Sequence, residues 1–173
     1  MVCRHGVALI GQTRRVHVCF VCTGNICRSP VAALVLTEHL RRAGLADRVR
    51  VTSAGTGPWH VGEPADPRAR RVLADRGYPA GHVAAQVDDD HLSADLLVAM
   101  DTGHEAALRR LLPGAGGRVV LFRSFEPDAI DQDAADQDVP DPYYGDPAGF
   151  VEVIELVEAG MPGLVQWIRT HLA

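Results

Sequence analysis

Four short apolar runs, Val16 to Val21, Val49 to Ser53, Leu96 to Met100 and Val119 to Phe122, alternate along the chain with stretches of helical period. Runs of this length bounded by Gly, Pro and Asp predict buried strands, and helices between them predict right-handed crossovers. The pattern implies an α/β fold: a single three-layer domain with a central four-stranded parallel sheet flanked by helices. The spacing predicts helices from Ser29 to about Leu40, stopped by Gly44, and from Asp66 or Pro67 to Asp75 or Arg76, closed by Gly77. A third runs from Thr102 to Leu112, before Pro113-Gly114, and a last from near Pro147 towards Thr170. Gly160-Met161-Pro162-Gly163 predicts a kink or break within that last helix.

A chain of 173 residues suits one domain, read as residues 16–173 behind a loose N-terminal extension, 1–15. Arg4 precedes only a short apolar patch, Val7 to Ile10, and Arg14-Arg15 stands where a signal peptide would carry small residues. The net charge of -5 argues against nucleic acid as a partner, whose binders carry a basic face. No apolar run approaches the roughly 18 residues of a membrane span. The cysteines, Cys3, Cys19, Cys22 and Cys27, crowd the start of the chain rather than spreading as a disulfide framework would. Reduced thiols and a cytoplasmic setting are therefore expected.

The first strand empties into Cys22-Thr-Gly-Asn-Ile-Cys-Arg28, and Ser29-Pro30 opens the next helix. A loop of this length folded on itself aims successive backbone N–H groups inward, a nest for an oxyanion capped by a helix N-terminus. Gly24 takes a positive φ freely, and Asn25 is among the few other residue types that tolerate it. Arg28 supplies a planar fork for two phosphate oxygens, where Lys would act as a point charge. The same field favours the thiolate of Cys22, with Ser29 placed to hydrogen-bond its sulfur. A Cys19-x2-Cys22 metal site lacks a second cysteine pair, and strand alternation places Cys19 in the sheet core.

Displacing phosphate from an aryl ester calls for a proton donor that the loop lacks. Asp141-Pro142-Tyr143-Tyr144-Gly145-Asp146 is the best source: Pro142 stiffens the chain beside Asp141, and the tyrosines can wall a cleft. Asp128, Asp131, Asp133, Asp136 and Asp138 read as a solvated acidic run, and composition alone does not select Asp141 from among them.

Val18 to Pro30 together with Asp141 to Gly145 make the chain resemble a low molecular weight protein tyrosine phosphatase, and Ser53 to His60 and His82 to Gln86 are similar to actinobacterial members. The resemblance covers Val16 to the C-terminal helix. It implies a metal-independent hydrolase without cofactor that acts on phosphotyrosine proteins and aryl phosphates through a phosphocysteine on Cys22. Arg28 would bind the phosphoryl group, within a loop of Thr23, Gly24, Asn25, Ile26, Cys27 and Ser29. Asp141 would protonate the leaving oxygen and then activate water. Asn25, Ser53 and His82 would support the loop, and Trp59, His60, Tyr143 and Tyr144 would form the substrate cleft.

The resemblance further implies a reversible Cys22–Cys27 disulfide, inhibition by inorganic phosphate or vanadate, and Tyr143 or Tyr144 as targets of a tyrosine kinase. A monomer without membrane insertion is favoured, and export without a signal peptide has no residue to support it. Two other activities stay in view. An arsenate reductase of the same fold would need further cysteines downstream, and none follows Cys27. A phosphoarginine phosphatase would use the same loop, and a binding module would lack the nucleophile, the arginine or the acid.

Overall fold

The computed structural model describes residues 14–173; the expectations for residues 1–13, including Cys3 and most of the N-terminal extension, lie outside the described residues. The elements run β1 (Val16–Cys22), α1 (Arg28–Arg42), β2 (Val49–Gly55), α2 (Pro67–Asp75), α3 (Asp89–Leu92), β3 (Leu96–Ala99), α4 (Thr102–Leu111), β4 (Val119–Leu121) and α5 (Pro147–Leu172). The four strands form one parallel sheet in the order β2-β1-β3-β4. The expected architecture is present, and the order reverses on either side of β1. That reversal opens a crevice beyond the carboxyl ends of the strands, where parallel α/β sheets bind ligands.

Strand alternation divides the core into two layers. Val18, Phe20 and Cys22 of β1 face the larger layer, with Val31, Val35 and Leu36 of α1 and Val153, Ile154 and Val157 of α5. Cys19 and Val21 face the smaller one, with Leu97 and Ala99 of β3, Leu108 of α4 and Leu121 of β4. Cys19 is a core residue, as its place in the strand predicts. In register, Val18 lies beside Val51 and Leu96, and Cys22 pairs with Gly55, so both strand ends reach the crevice together. A Cβ on Gly55 would stand 2.7 Å from the Thr23 carbonyl oxygen, so only glycine lets the loop after β1 pass there.

Of the expected kink or break in the last helix, the break is absent: α5 is continuous over 26 residues with Pro162 inside it. An interior proline costs about 3 kcal/mol. Against this, Phe150, Val153, Ile154, Val157, Met161, Leu164 and Ile168 are buried at helical spacing, each contributing about 1.5–3 kcal/mol. Burial wins. The two glycines are contact sites rather than breaks, since a Cβ on Gly160 would meet the Phe122 ring at 2.8 Å and one on Gly163 would meet the Phe125 carbonyl oxygen at 2.2 Å. Asp138 also departs from the solvated reading, because its carboxylate caps α4 by accepting from Thr102 N at 2.7 Å. Asp128, Asp131, Asp133 and Asp136 are exposed.

Gly163→Ala should destabilise the fold by about 1–3 kcal/mol in urea unfolding, because backbone cannot yield as a side chain can. Helix propensity alone would give a gain of about 1 kcal/mol, so a rise in stability would refute the contact.

Candidate active site

The loop from Cys22 to Arg28 joins the carboxyl end of β1 to the N-terminus of α1. Its carbonyls point away from its centre. Cys22 O accepts from Thr56 N at 2.8 Å, Thr23 O from Gly57 N at 3.1 Å and Ile26 O from Asp66 N at 2.8 Å. Asn25 O accepts from His82 Nε2 at 2.7 Å. Among the described residues, no carbonyl or side chain accepts from the N–H groups of Thr23 to Cys27. Carbonyls turned out and N–H groups left over make the anion nest that the spacing predicts.

Asn25 fixes this shape, with φ of 57°. Its Oδ1 accepts from Ala85 N at 2.9 Å, while Nδ2 donates to Ser29 Oγ at 2.8 Å and Ser53 Oγ at 2.9 Å. Ser29 Oγ lies 2.9 Å from Cys22 Sγ. Because that oxygen already accepts from Asn25, its own hydrogen is free to donate to the sulfur. His82 donates through Nε2, and burial pulls its pKa below the usual histidine value, only partly countered by the bond to Asn25. Ser53 and His82 therefore both hydrogen-bond to Asn25 of the loop.

Arg28 is nearly enclosed, its side chain 4% exposed. Nη1 donates to Asp101 Oδ2 at 2.7 Å and to Val139 O at 3.0 Å. Nη2 stands 3.3 Å from Asp141 Oδ2 and 3.5 Å from Thr23 Oγ1. Asp101 is the N-cap of α4, with Oδ1 accepting from His104 N at 2.9 Å. Burial opposes its ionisation, but the His104 side chain and N–H, with Arg28, hold its pKa well below the usual carboxylate range. Neither Asp101 nor His104 was singled out by the sequence. The available signal was an aspartate directly after the best buried strand, capping a helix at the ligand-binding edge.

A cavity of about 380 Å³ opens over the loop, lined by Cys22, Arg28, Asp141 and the aromatic residues Trp59, His60, Tyr143 and Tyr144. Thr23, Gly24, Ile26 and Cys27 complete its lining. Tyr143 meets Tyr144 edge-on with ring centroids 4.9 Å apart, and the His60 ring lies 6.1 Å from Tyr143. Asp141 Oδ1 accepts from Tyr143 N at 3.1 Å, which tightens the turn and leaves Oδ2 beside Arg28. Arg68 of α2, another residue the sequence did not mark, holds this segment by its backbone. It donates to Tyr143 O at 3.1 Å and Gly145 O at 3.0 Å while stacking over Phe150. Asp66 pairs with Arg68, and that hydrogen bond is the main reason its pKa is lowered.

The sequence-predicted residues thus converge on one pocket or on the wall beneath it. Cys27 is buried, and its thiol is pushed up to about 12 chiefly by burial, with Asp66 and Cys22 adding to the shift.

The family model for low molecular weight phosphotyrosine protein phosphatase matches residues 17–173. The chain is 53% identical over 157 residues to low molecular weight protein-tyrosine phosphatase A of Mycobacterium tuberculosis, covering 91% of this chain and 94% of that one. It is 51% identical over 159 residues to a low molecular weight protein-tyrosine-phosphatase of Streptomyces coelicolor, covering 90% and 95%. A protein tyrosine phosphatase from Entamoeba histolytica superposes with a TM-score of 0.82 at 30% identity, covering 90% of this chain and 98% of that one. With an oxyanion nest, a cysteine, an arginine and an aspartate gathered at one crevice, the chain belongs to the low molecular weight phosphotyrosine protein phosphatase family.

Proposed function

We propose that this protein hydrolyses phosphotyrosine in protein substrates through a phosphocysteine on Cys22. The observation that carries the reading is the meeting of Cys22, Arg28 and Asp141 in one cavity of about 380 Å³ with an aromatic wall. The thiolate attacks phosphorus in line while the loop N–H groups and Arg28 Nη2 take up the charge on the equatorial oxygens. The S–P bond forms as the P–O bond to the tyrosyl oxygen breaks, and protonated Asp141 donates to that oxygen. Asp141, now a carboxylate, takes a proton from water, which displaces the phosphocysteine to release phosphate and restore the thiolate. Ser29 stabilises the leaving sulfur.

The reading extends to regulation and setting. A Cys27 thiol kept protonated by burial is a poor first target for an oxidant, so oxidation starts at Cys22, and Cys27 of the same loop condenses with the Cys22 sulfenic acid, releasing water, once it is deprotonated. Tyr144 is 92% exposed and Tyr143 38%, so both rings are open to a kinase. A nucleophilic thiol favours the reducing cytoplasm, and among the described residues no helix is long and apolar enough to cross a membrane. We assign the activity to a domain of residues 16–173, in which Cys22, Arg28 and Asp141 line one cavity, and favour a monomer.

Wild type should hydrolyse para-nitrophenyl phosphate without added metal and prefer phosphotyrosine peptides over phosphoserine and phosphoarginine peptides. Cys22→Ser should lose turnover on all of them while still binding vanadate. A preference for phosphoarginine would reassign the substrate. Asp141→Asn should slow phenyl phosphate, a poor leaving group, by about 10²–10⁴-fold and para-nitrophenyl phosphate much less. Equal losses on both would remove Asp141 as the acid.

Acid should also weaken the loop support. With its folded-state pKa lowered, His82 stabilises the fold fully above its unfolded value near 6.5, and this is lost as pH falls towards the folded value. The stability difference between wild type and His82→Gln should therefore shrink between pH 7 and pH 5 in urea unfolding. Since His17, also lowered chiefly by burial, is common to both proteins, a constant difference would show that His82 does not titrate in this way.

A further inference from the structure

A closed circuit of polar contacts runs behind the cavity. Arg28 Nη1 donates to Asp101 Oδ2 at 2.7 Å, and Asp101 Oδ1 stands 2.9 Å from His104 Nδ1. His104 Nε2 meets Thr23 Oγ1 at 2.9 Å, and Thr23 Oγ1 lies 3.5 Å from Arg28 Nη2, back at the starting guanidinium. Three corners of this ring have evident reasons to be there: Arg28 grips phosphate, Asp101 neutralises it, and Thr23 follows the nucleophile. The fourth, His104, is 5% exposed and enters none of the steps above.

Helix capping does not account for the imidazole. The capping bond to Asp101 Oδ1 comes from the His104 backbone N–H, which any residue except proline supplies. Burying a ring with two polar nitrogens is costly unless both are used. The Thr23 hydroxyl is the aligned hydrogen-bond partner of the ring, whereas Nδ1 has only the off-line contact with Asp101. The side chain is thus directed at Thr23, across the crevice between the ends of β1 and β3.

The need for that contact lies in the guanidinium. Asp101 and Val139 O both hold Nη1, whereas Nη2 faces only the Asp141 carboxylate at the rim, 3.3 Å away, and Thr23 Oγ1. Thr23 is exposed on the cavity wall, and its hydroxyl would rotate freely without a partner. Held by His104, it stands beside Nη2 and fixes the plane of the fork. Bidentate recognition of phosphate depends on that plane.

We propose that His104 is a positioning residue, which through Thr23 and Asp101 sets the plane of the Arg28 fork so that Nη2 faces the transferring phosphoryl group. This inference rests on the phosphatase reading of the site. The loop N–H groups bind the ground-state dianion whatever the angle of the fork, so a loosened fork lowers kcat more than it raises KM.

The test measures kcat and KM for para-nitrophenyl phosphate in wild type, Thr23→Val, Thr23→Ser, His104→Ala and the Thr23→Val/His104→Ala double variant. Loss of the hydroxyl or of the imidazole should each lower kcat on the order of tenfold, with KM changed less than about twofold. The double variant should be no worse than either single one, and Thr23→Ser, which keeps the hydroxyl, should lose clearly less kcat than Thr23→Val. Thr23→Val leaves the buried histidine in place and carries the test even if His104→Ala fails to fold. A wild-type kcat in Thr23→Val, losses confined to KM, or multiplicative losses in the double variant would overturn the positioning role. Absence of turnover in the wild type itself would instead overturn the phosphatase reading.

Discussion

For most side chains, a left-handed backbone costs about 1–2 kcal/mol, and asparagine is one of the few that adopt it readily. Asn25 takes that conformation in the middle of the loop and holds it with three side-chain hydrogen bonds and one at its carbonyl. At about 0.5–1.5 kcal/mol each, those bonds outweigh the local strain. The rest of the site follows from this turn. It folds the chain back so that the N–H groups converge, ties the loop to β2 through Ser53, and passes through Ser29 to the Cys22 sulfur. Remove the turn and the cysteine and arginine are merely neighbours in sequence.

Charge within the crevice is balanced around one guanidinium. Asp101, just after β3, and Asp141, in the connection from β4 to α5, approach different arms of Arg28. Asp101 is deep and ionised, a fixed counter-charge. Asp141 is about half exposed, its side chain 45% open, at the rim where a leaving group would depart. Two carboxylates of one residue type thus acquire different duties through burial and hydrogen bonding.

What could be read in the sequence was what is local. The strand ahead of Cys22, the spacing to Arg28, the proline beside Asp141 and the paired tyrosines each sit within a short stretch of chain. Asp101, His104 and Arg68 were not legible because their meaning depends on which strand lies next to which. Only the order β2-β1-β3-β4 brings the end of β3 against the loop after β1. The unbroken α5 was missed for a related reason. Gly160 and Gly163 look like helix breakers until Phe122 and Phe125 are placed against them. The cap by Asp138 was likewise hidden in an acidic run whose other members face solvent.

Arg68 holds the segment after Asp141 through the carbonyls of Tyr143 and Gly145, not through either tyrosine ring. Its own guanidinium is fixed by Asp66, whose N–H in turn holds the Ile26 carbonyl of the catalytic loop. The distance between acid and nucleophile is therefore set by main chain and by α2, independently of what the rim side chains are. Under the function proposed above, mutation can redraw the mouth of the cleft, and with it the choice of phosphoprotein, while the chemistry beneath stays in register. On that reading, specificity is free to drift without catalysis drifting with it.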